Sequence, residues 1–301
     1  MKKKLVFWSV VSALIIVALT VALIVIVDRV SRPKQTEQVT AKSIQQDDTT
    51  ETEKADETEQ IEKQQPKKPA INQESKSEPD TEKTEEKEEP EKKGHIVVID
   101  PGHQAHGDSS TEPLGPGSST KKAKVTGGAH GTTTGVYEYE LTLSIGKKLK
   151  SELESRGYEV YLTRDSNDVK ISNAERAQFA TKKNADIYLR LHANGAGGSS
   201  ANGAMMLYPT SSNQWVGNLS SQSEKLSTDI LTAYCKSTGM KNLGNSPRDD
   251  MTGFNWATMP MTLIEMGFMT NPTDDRNMED SSYQAKMVTG IANGIDNYFK
   301  D

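Results

Sequence analysis

The pattern of apolar and polar positions divides the chain into three parts. Leu5 to Val27 is an apolar run without a charged residue, and roughly 20 apolar residues suffice to cross a bilayer as a helix. Residues 31–93 are rich in Glu, Lys, Thr, Gln and Pro and almost lack apolar side chains. Apolar positions then return with regular spacing. We therefore predict an N-terminal anchor over residues 1–30, a linker over 31–93 and a folded domain over 94–301.

The first segment predicts a single transmembrane helix with its N-terminus in the cytoplasm. Three lysines precede the apolar run, against one Asp and one Arg directly after it, and positive flanks stay on the cytoplasmic side. The alternative is a cleaved signal peptide, which usually has a shorter apolar core and a small-residue cleavage site. Both interpretations carry the rest of the chain across the membrane. The linker cannot bury enough apolar surface to offset its ordering entropy, so we expect it to be disordered.

The folded part alternates strand-like apolar runs with helical stripes. An apolar residue recurs every four positions from Leu141 to Leu153, which gives a helix one apolar face, and a last helix is predicted over residues 282–299. Nearly continuous apolar strands suit a sheet covered on both faces, and strand–helix alternation favours an α/β fold with a largely parallel sheet. The predicted strands cover residues 95–99, 159–163, 187–191, 203–208 and 261–264.

Composition restricts the possible chemistry. The formal net charge is -6, and Cys235 is the only cysteine, so no disulfide can form within the chain. Cys235 lies in a predicted helix, where we expect a small buried hydrophobic residue rather than a catalytic thiol. The acidic balance and a location outside the membrane disfavour nucleic-acid binding.

Four polar side chains fall where a predicted strand ends or a helix begins. His103 follows the first strand, His192 and Glu265 follow two later strands, and Glu138 begins the helix with the apolar stripe. Ligands bind outside the carboxyl ends of the strands in such sheets. Two histidines and a carboxylate form a common catalytic zinc set, and a carboxylate inside an apolar strand, as at Glu265, needs a partner or a purpose. The spacing alone leaves a zinc site and ordinary hydrogen-bonded loop residues both open.

Other residues compete for these roles. Glu140 competes with Glu138, and a glutamate at a helix start also stabilises the helix dipole. His106 and His130, in the Gly-rich segment after the first strand, are weaker alternative ligands. His95 precedes the first strand, and we expect a structural role for it.

Four blocks of the domain occur in the order of a known family: VVIDPGH, YEYELTLSIGKKLKSELESRGYEVYLTR, RAQFATKKNADIYLRLHAN and MPMTLIEMGFMTNP. They resemble the zinc-dependent N-acetylmuramoyl-L-alanine amidases of the type 3 amidase family, which are cell-wall hydrolases. The resemblance covers residues 94–301 but neither the anchor nor the linker. It implies an α/β fold with a mixed, mostly parallel sheet of about six strands and helices on both faces.

The resemblance also implies a site and a reaction. Zn²⁺ would be bound by His103, Glu138 and His192, and Glu265 would be the catalytic acid/base. The implied reaction is hydrolysis of the amide between N-acetylmuramic acid and L-alanine in peptidoglycan, which releases stem peptides. Two further residues are candidates for binding the substrate, Asn194 and Arg248.

The sequence departs from the family in two places. Residues 104–136 form a longer segment than the shortest members carry, and we expect it to border the cleft. Asn255 and Trp256 stand where many members have an arginine before the final strand. A zinc peptidase or deacetylase and an inactive peptidoglycan-binding or regulatory domain remain alternatives. We expect a monomeric catalytic domain, held at the cell membrane and facing the cell wall.

Overall fold

The computed structural model describes residues 92–195 and 198–300. The predicted anchor and all but the last two residues of the predicted linker lie outside these ranges. Within the ranges, no helix is long and apolar enough to cross a bilayer.

A mixed sheet of six strands forms the centre of the folded part. The strand order is β4-β1-β5-β8-β6-β7, and β2 pairs with β3 in a separate hairpin. The first four strands of the sheet are parallel, β6 runs antiparallel to β8, and β7 is parallel to β6. The mixed, mostly parallel sheet predicted from the sequence is confirmed. The strands are β1 (Ile96–Pro101), β2 (Asp108–Pro113), β3 (Lys121–Val125), β4 (Glu159–Leu162), β5 (Ile187–Asn194), β6 (Ala204–Tyr208), β7 (Asn242–Pro247) and β8 (Met261–Phe268).

Helices cover both faces of the sheet, as predicted. Apolar residues of α1, α3 and α6 pack on one face, and residues of α2 and α4 pack on the other. The predicted last helix is confirmed within one residue at each end. The helices are α1 (Glu138–Ser155), α2 (Asn173–Lys182), α3 (Ser220–Thr238), α4 (Thr252–Asn255), α5 (Pro272–Glu279) and α6 (Ser281–Lys300).

The two-sided core explains the continuous apolar runs. Successive side chains of a strand point to opposite faces, so Val97 and Ile99 pack on one face of β1 and Val98 packs on the other. All three have no exposed surface. The apolar stripe of α1 is buried in the same way, from Leu141 to Leu153.

Three strands were not predicted, because their side chains are mainly polar. β2 and β3 lie inside the segment 104–136, which the sequence indicated only as a loop, and most of their residues are exposed. β7, with the sequence NLGNSP, is the edge strand of the sheet. Patterns of apolar residues detect strands that bury a face, and these three bury little.

Two strands also run further than predicted. β5 continues to Asn194 and β8 to Phe268, so His192 and Glu265 lie within strands rather than just after them. Backbone hydrogen bonds of the sheet therefore fix both residues, which bears directly on the geometry of the site.

Cys235, on α3, is partly buried against the core. Burial raises the pKa of its thiol to about 11, so the thiol stays protonated at neutral pH and is a poor nucleophile. This agrees with the expected packing role and opposes the catalytic alternative.

Candidate metal centre

The predicted ligands meet at the carboxyl ends of three parallel strands. His103 lies two residues beyond β1, and His192 on β5 is in register with Glu265 on β8. Glu138 is the first residue of α1, whose start lies beside this end of the sheet. The structure thus brings together the four residues that the sequence singled out.

A glycine at the end of β1 allows the histidines to approach each other. The amide of Gly102 donates to the carbonyl oxygen of Leu191 on β5 at 2.9 Å. A Cβ built on Gly102 would lie only 2.4 Å from Cε1 of His192. Gly102 of the Pro-Gly corner is therefore needed for close packing against His192. The next residue, His103, is thereby placed beside the second histidine.

His103 is held by its backbone and by its ring. Its φ of 61° lies in the left-handed region, which non-glycine residues seldom adopt. Its Nδ1 lies 2.9 Å from the carbonyl oxygen of Thr126. A carbonyl can only accept, so Nδ1 carries the hydrogen and the lone pair is on Nε2, which points towards the other two residues.

Three potential ligand atoms converge on one point. Nε2 of His103 and Nδ1 of His192 lie 3.1 and 3.0 Å from Oε1 of Glu138, and 3.1 Å from each other. Ligands at about 2.0–2.1 Å from a tetrahedral zinc ion are roughly 3.3 Å apart. The donor set and its spacing therefore fit a catalytic zinc ion, and no other such group occurs in the part of the chain described by the structure.

Glu138 is both oriented and ionised. Its Oε2 accepts the amide of Ala129 at 2.8 Å, and its Oε1 accepts the amide of Ala193 at 3.0 Å. Burial alone would raise the pKa of this carboxyl, but hydrogen bonds with His103 and His192 outweigh burial and hold the pKa well below its usual range. A fixed, charged carboxylate suits a dication.

His192 is neutral, as a metal ligand must be. Burial, with a smaller contribution from the neighbouring His103, lowers the pKa of its imidazole to about 4 against the opposing effect of Glu138. Its Nε2 is buried and has no hydrogen-bond partner within the described ranges. At neutral pH one nitrogen of this ring is therefore unprotonated and can bind a metal ion.

The competing candidates lie outside this group. Glu140 accepts the backbone amide of Tyr137 and closes the first turn of α1, and neither His106 nor His130 belongs to the converging set. His95 stacks on Phe299 at 4.0 Å between ring centres, which agrees with the structural role expected for it.

Glu265 lies beside the three potential ligands as an unpaired carboxyl. Its Oε2 is buried without a hydrogen-bond partner in the described residues. Burial, and then repulsion from Glu138, raise the pKa of Glu265 to about 8, while Arg190 opposes the rise. A carboxyl with such a pKa can both take up and release a proton near neutral pH.

The site opens into a cleft with two halves. A charged half, of about 340 Å³, is bordered by β3 and the segment after β7 and includes Arg248. The second half, of about 430 Å³, is bordered by Gly127–Ala129 and by Asn194 and Gly195, and no lysine or arginine lines it. His103, His192 and Glu265 line both halves. The structure therefore places both candidate substrate-binding residues in the cleft, in different halves.

The hairpin of β2 and β3 is fixed against the body of the domain. Trp256 donates its ring N–H to the carbonyl of Pro113, and Asn255 donates to the carbonyl of Leu114. The ring N–H of Trp215 reaches Pro116 in the turn. The two residues that replace the family's arginine thus hold the hairpin that borders the cleft.

One residue of the cleft was missed at the level of sequence. Arg190 lies on β5, two residues before His192, and lines the charged half. A charged residue inside the apolar run IYLRLHAN is the same signal that singled out Glu265. The strand pattern could therefore have indicated Arg190 as well.

The geometry agrees with the match to known proteins. The family model described as N-acetylmuramoyl-L-alanine amidase matches residues 97–297. The chain belongs to this family. The predicted family is thereby confirmed, and with it the class of protein, an amidase.

Two relatives are matched over different shares of their own length. The N-acetylmuramoyl-L-alanine amidase Rv3717 of Mycobacterium tuberculosis is 30% identical over 210 residues, which are 67% of this chain and 85% of the relative. The amidase LytC of Bacillus subtilis is 27% identical over 207 residues, 69% of this chain but 36% of LytC. The matched part thus spans about a third of LytC and most of Rv3717.

Solved amidase structures share the fold. The N-acetylmuramyl-L-alanine amidase Ami1 of Mycobacterium smegmatis superposes with a TM-score of 0.62 at 25% identity, and the match covers 69% of this chain and 97% of Ami1. Apo Ami1 of Mycobacterium abscessus gives a TM-score of 0.61 at 25% identity, with 68% and 99% covered. The α/β domain of residues 92–300 is therefore the amidase fold.

Proposed function

We propose that the protein hydrolyses the amide bond between N-acetylmuramic acid and L-alanine in peptidoglycan and releases stem peptides. The observation that carries this proposal is the convergence of His103, Glu138 and His192 beside the unpaired carboxyl of Glu265, in a chain of the amidase family. The relatives named above are amidases of this bond, which supports the same substrate here.

The proposed cofactor is Zn²⁺, held by Nε2 of His103, Nδ1 of His192 and the carboxylate of Glu138. Zinc, when bound, polarises a carbonyl and lowers the pKa of water to near neutrality. Besides the imidazole of His103, the chain supplies a neutral imidazole at His192 and a charged carboxylate at Glu138, because burial and the local hydrogen bonds fix these two protonation states.

Glu265 is the proposed acid/base. It takes a proton from the water that attacks the lactyl carbonyl of muramic acid. It then returns the proton to the amine of L-alanine as the C–N bond breaks. Its position opposite His192 in the sheet keeps the carboxyl beside the reacting atoms without a competing hydrogen bond.

We also propose that the protein is held at the cell membrane by its first segment, with the domain on the outer side facing the cell wall. The uncharged apolar run from Leu5 to Val27 and the lysines before it support this arrangement. The charged linker would allow the domain to reach peptidoglycan at a distance from the bilayer.

The test is digestion of intact peptidoglycan by the full-length protein in detergent, followed by mass spectrometry of the soluble products. We expect stem peptides that begin with L-alanine, lost with a chelator and restored by Zn²⁺. Glu265→Ala should bind zinc but release no peptide, whereas Glu140→Ala, in the first turn of α1 beside Glu138, should retain activity. Cuts within the stem would indicate a peptidase, and no products at all an inactive binding domain.

A further inference from the structure

Arg190 presents an unused hydrogen-bond donor to the cleft. Its side chain is almost fully buried, and two guanidinium nitrogens are already engaged. Nε donates to Asp100 at 2.8 Å, and Nη2 donates to the side chain of Asn173 at 2.6 Å. Tyr188 also interacts with the guanidinium. No hydrogen bond from Nη1 to any described residue is found, although the guanidinium lines the charged half of the cleft. The group is therefore fixed in position with one nitrogen available.

A glycine keeps this nitrogen accessible. Gly253, at the start of α4, lies against the guanidinium and also lines the cleft. A Cβ built on Gly253 would lie 2.3 Å from Nη1 of Arg190. A side chain at this position would therefore displace the guanidinium or cover it.

The floor of the charged half carries an excess of positive charge. Asp100 accepts from Arg176 at 2.7 Å as well as from Arg190, and all three side chains are buried. One carboxylate thus faces two guanidinium groups. An uncompensated buried cation is costly, so an anion that reaches Arg190 from the cleft would be bound favourably.

The rim of the charged half adds to this excess. Lys122 on β3 lies 3.3 Å from a carboxylate oxygen of Asp250, and Arg248 binds the same carboxylate through Nε at 2.9 Å. Two cations therefore share one carboxylate. Glu265 also lines the charged half and interacts with Arg190, so three cationic side chains there face two carboxyls. The second half has no lysine or arginine among its described lining residues, only the carboxyls of Glu138 and Glu265.

We propose that Arg190, with Lys122 and Arg248 at the rim, binds the free α-carboxylate of the second residue of the stem peptide. The stem peptide then occupies the charged half of the cleft, and the uncharged sugars of the glycan strand occupy the other half. This inference rests on the proposed amidase function. It predicts a preference among stem peptides that the metal site alone does not produce.

A matched pair of substrates tests the proposal. Both are N-acetylmuramoyl tripeptides with the stem L-Ala-γ-D-Glu-L-Lys, and they differ only in a free α-carboxylate or an α-carboxamide on the second residue. Release of the tripeptide by the zinc-loaded full-length protein gives kcat/KM for each. We expect about tenfold higher kcat/KM for the carboxylate, since hydrogen bonds to charged groups are the strong ones.

Variants of Arg190 and Arg248 test whether these residues cause the preference for the carboxylate substrate. Arg190→Lys and Arg248→Ala should each lower the ratio of the two kcat/KM values by about threefold or more, because the carboxylate substrate loses more than the carboxamide substrate. Lys121→Ala removes an exposed lysine that does not line the cleft, and it should leave the ratio unchanged. Thermal unfolding and zinc content check each variant, and the exposed Arg248 provides the test if Arg190→Lys does not fold.

The outcomes separate the two proposals. If the wild-type protein hydrolyses both substrates equally well, or if Arg248→Ala slows both by the same factor, the carboxylate site is wrong and the amidase function stands. If the wild-type protein releases no peptide from either substrate, the proposed function itself fails.

Discussion

At the scale of single residues, the site depends as much on missing side chains as on present ones. Gly102 makes room for the ring of His192, and Gly253 leaves the guanidinium of Arg190 open. His103 accepts a left-handed backbone so that its ring reaches Thr126. These contacts are formed within the protein itself. They therefore position the metal ligands before any metal binds.

Gly102→Ala should therefore weaken zinc binding. The new methyl group would lie about 2.4 Å from the ring of His192, so the ring must move. We expect at least about a tenfold loss in zinc affinity, comparable to the loss of an orienting contact around a metal ligand. Competition with a chromophoric chelator measures it. Gly127→Ala is the control, because a Cβ there meets nothing within 4 Å; equal affinities in the two variants would contradict the steric argument.

Glu265 should make the metal-free protein less stable as the pH rises. Glutamate in an unfolded chain has a pKa of about 4.3, whereas the pKa of Glu265 in the folded protein is about 8. Between these values the folded protein holds a proton that the unfolded chain has released. The free energy of unfolding therefore falls with increasing pH across this window.

Glu265→Gln removes this dependence, because an amide does not ionise. With a chelator present, we expect the variant to exceed the wild type by about 1–2 kcal/mol near pH 8, a value reduced for partial contact with solvent, and by little near pH 5. Urea unfolding across this range gives the comparison. Parallel pH curves for the two proteins would show that Glu265 ionises normally.

The sequence was sufficient for the residues of the site, but not for all of their surroundings. Two histidines and two glutamates at strand and helix ends were recognisable because polar groups at such ends need a reason. Arg190 stands out in its apolar strand as a charged residue, but nothing in the chain shows that Asp100 and Asn173 bind two of its nitrogens. That information arises only when β1, β5 and α2 come together.

At the scale of elements, the hairpin of β2 and β3 differs most from expectation. A polar segment in a loop carries no pattern of burial, so its strands are invisible to apolar periodicity. Its partners are side chains distant in sequence, mainly Trp256, Asn255 and Trp215. The apolar strands of the central sheet were predictable for the opposite reason, because each buries two faces.

Trp256→Ala should release the hairpin from the domain. The variant loses the hydrogen bond to Pro113 and the packing of a partly buried indole. We expect the free energy of unfolding to fall by about 2 kcal/mol, with new proteolytic cuts between residues 114 and 120. Limited proteolysis with mass spectrometry locates the cuts. Phe179→Ala, which removes a partly buried ring of the same cluster away from the hairpin, should destabilise without these cuts; identical cut patterns would refute the role of Trp256.

At the scale of the whole molecule, a buried ionic cluster joins the two sheet strands that carry the site to α2. Asp100 accepts hydrogen bonds from Arg176, Arg190, Thr163 and Tyr188. Burial opposes the ionised form, but the two arginines hold the pKa of Asp100 far below its usual range. The carboxylate of Asp100 is therefore ionised at neutral pH.

Asp100→Ala should destabilise the protein strongly. Removal of the carboxylate leaves two buried guanidinium groups without their shared partner, which costs about 3–5 kcal/mol. That is a large part of the roughly 5–15 kcal/mol of a typical domain. Chemical unfolding measures the loss. Asp108→Ala, at an exposed ion pair with Lys124, should cost far less, because exposed ion pairs contribute little to stability; similar losses in both variants would contradict the importance of the cluster.

The first described residues join the sheet at the end opposite the metal centre. The amide of Lys93 donates to the carbonyl of Gly157, and its ammonium pairs with Asp296 near the end of α6. From there β1 leads to His103 on the far side, a distance of roughly 20 Å for a six-residue strand. Residues 1–91 are therefore connected to the domain at the end of the sheet opposite the metal centre. The cleft lies at the other end of the sheet, away from this connection.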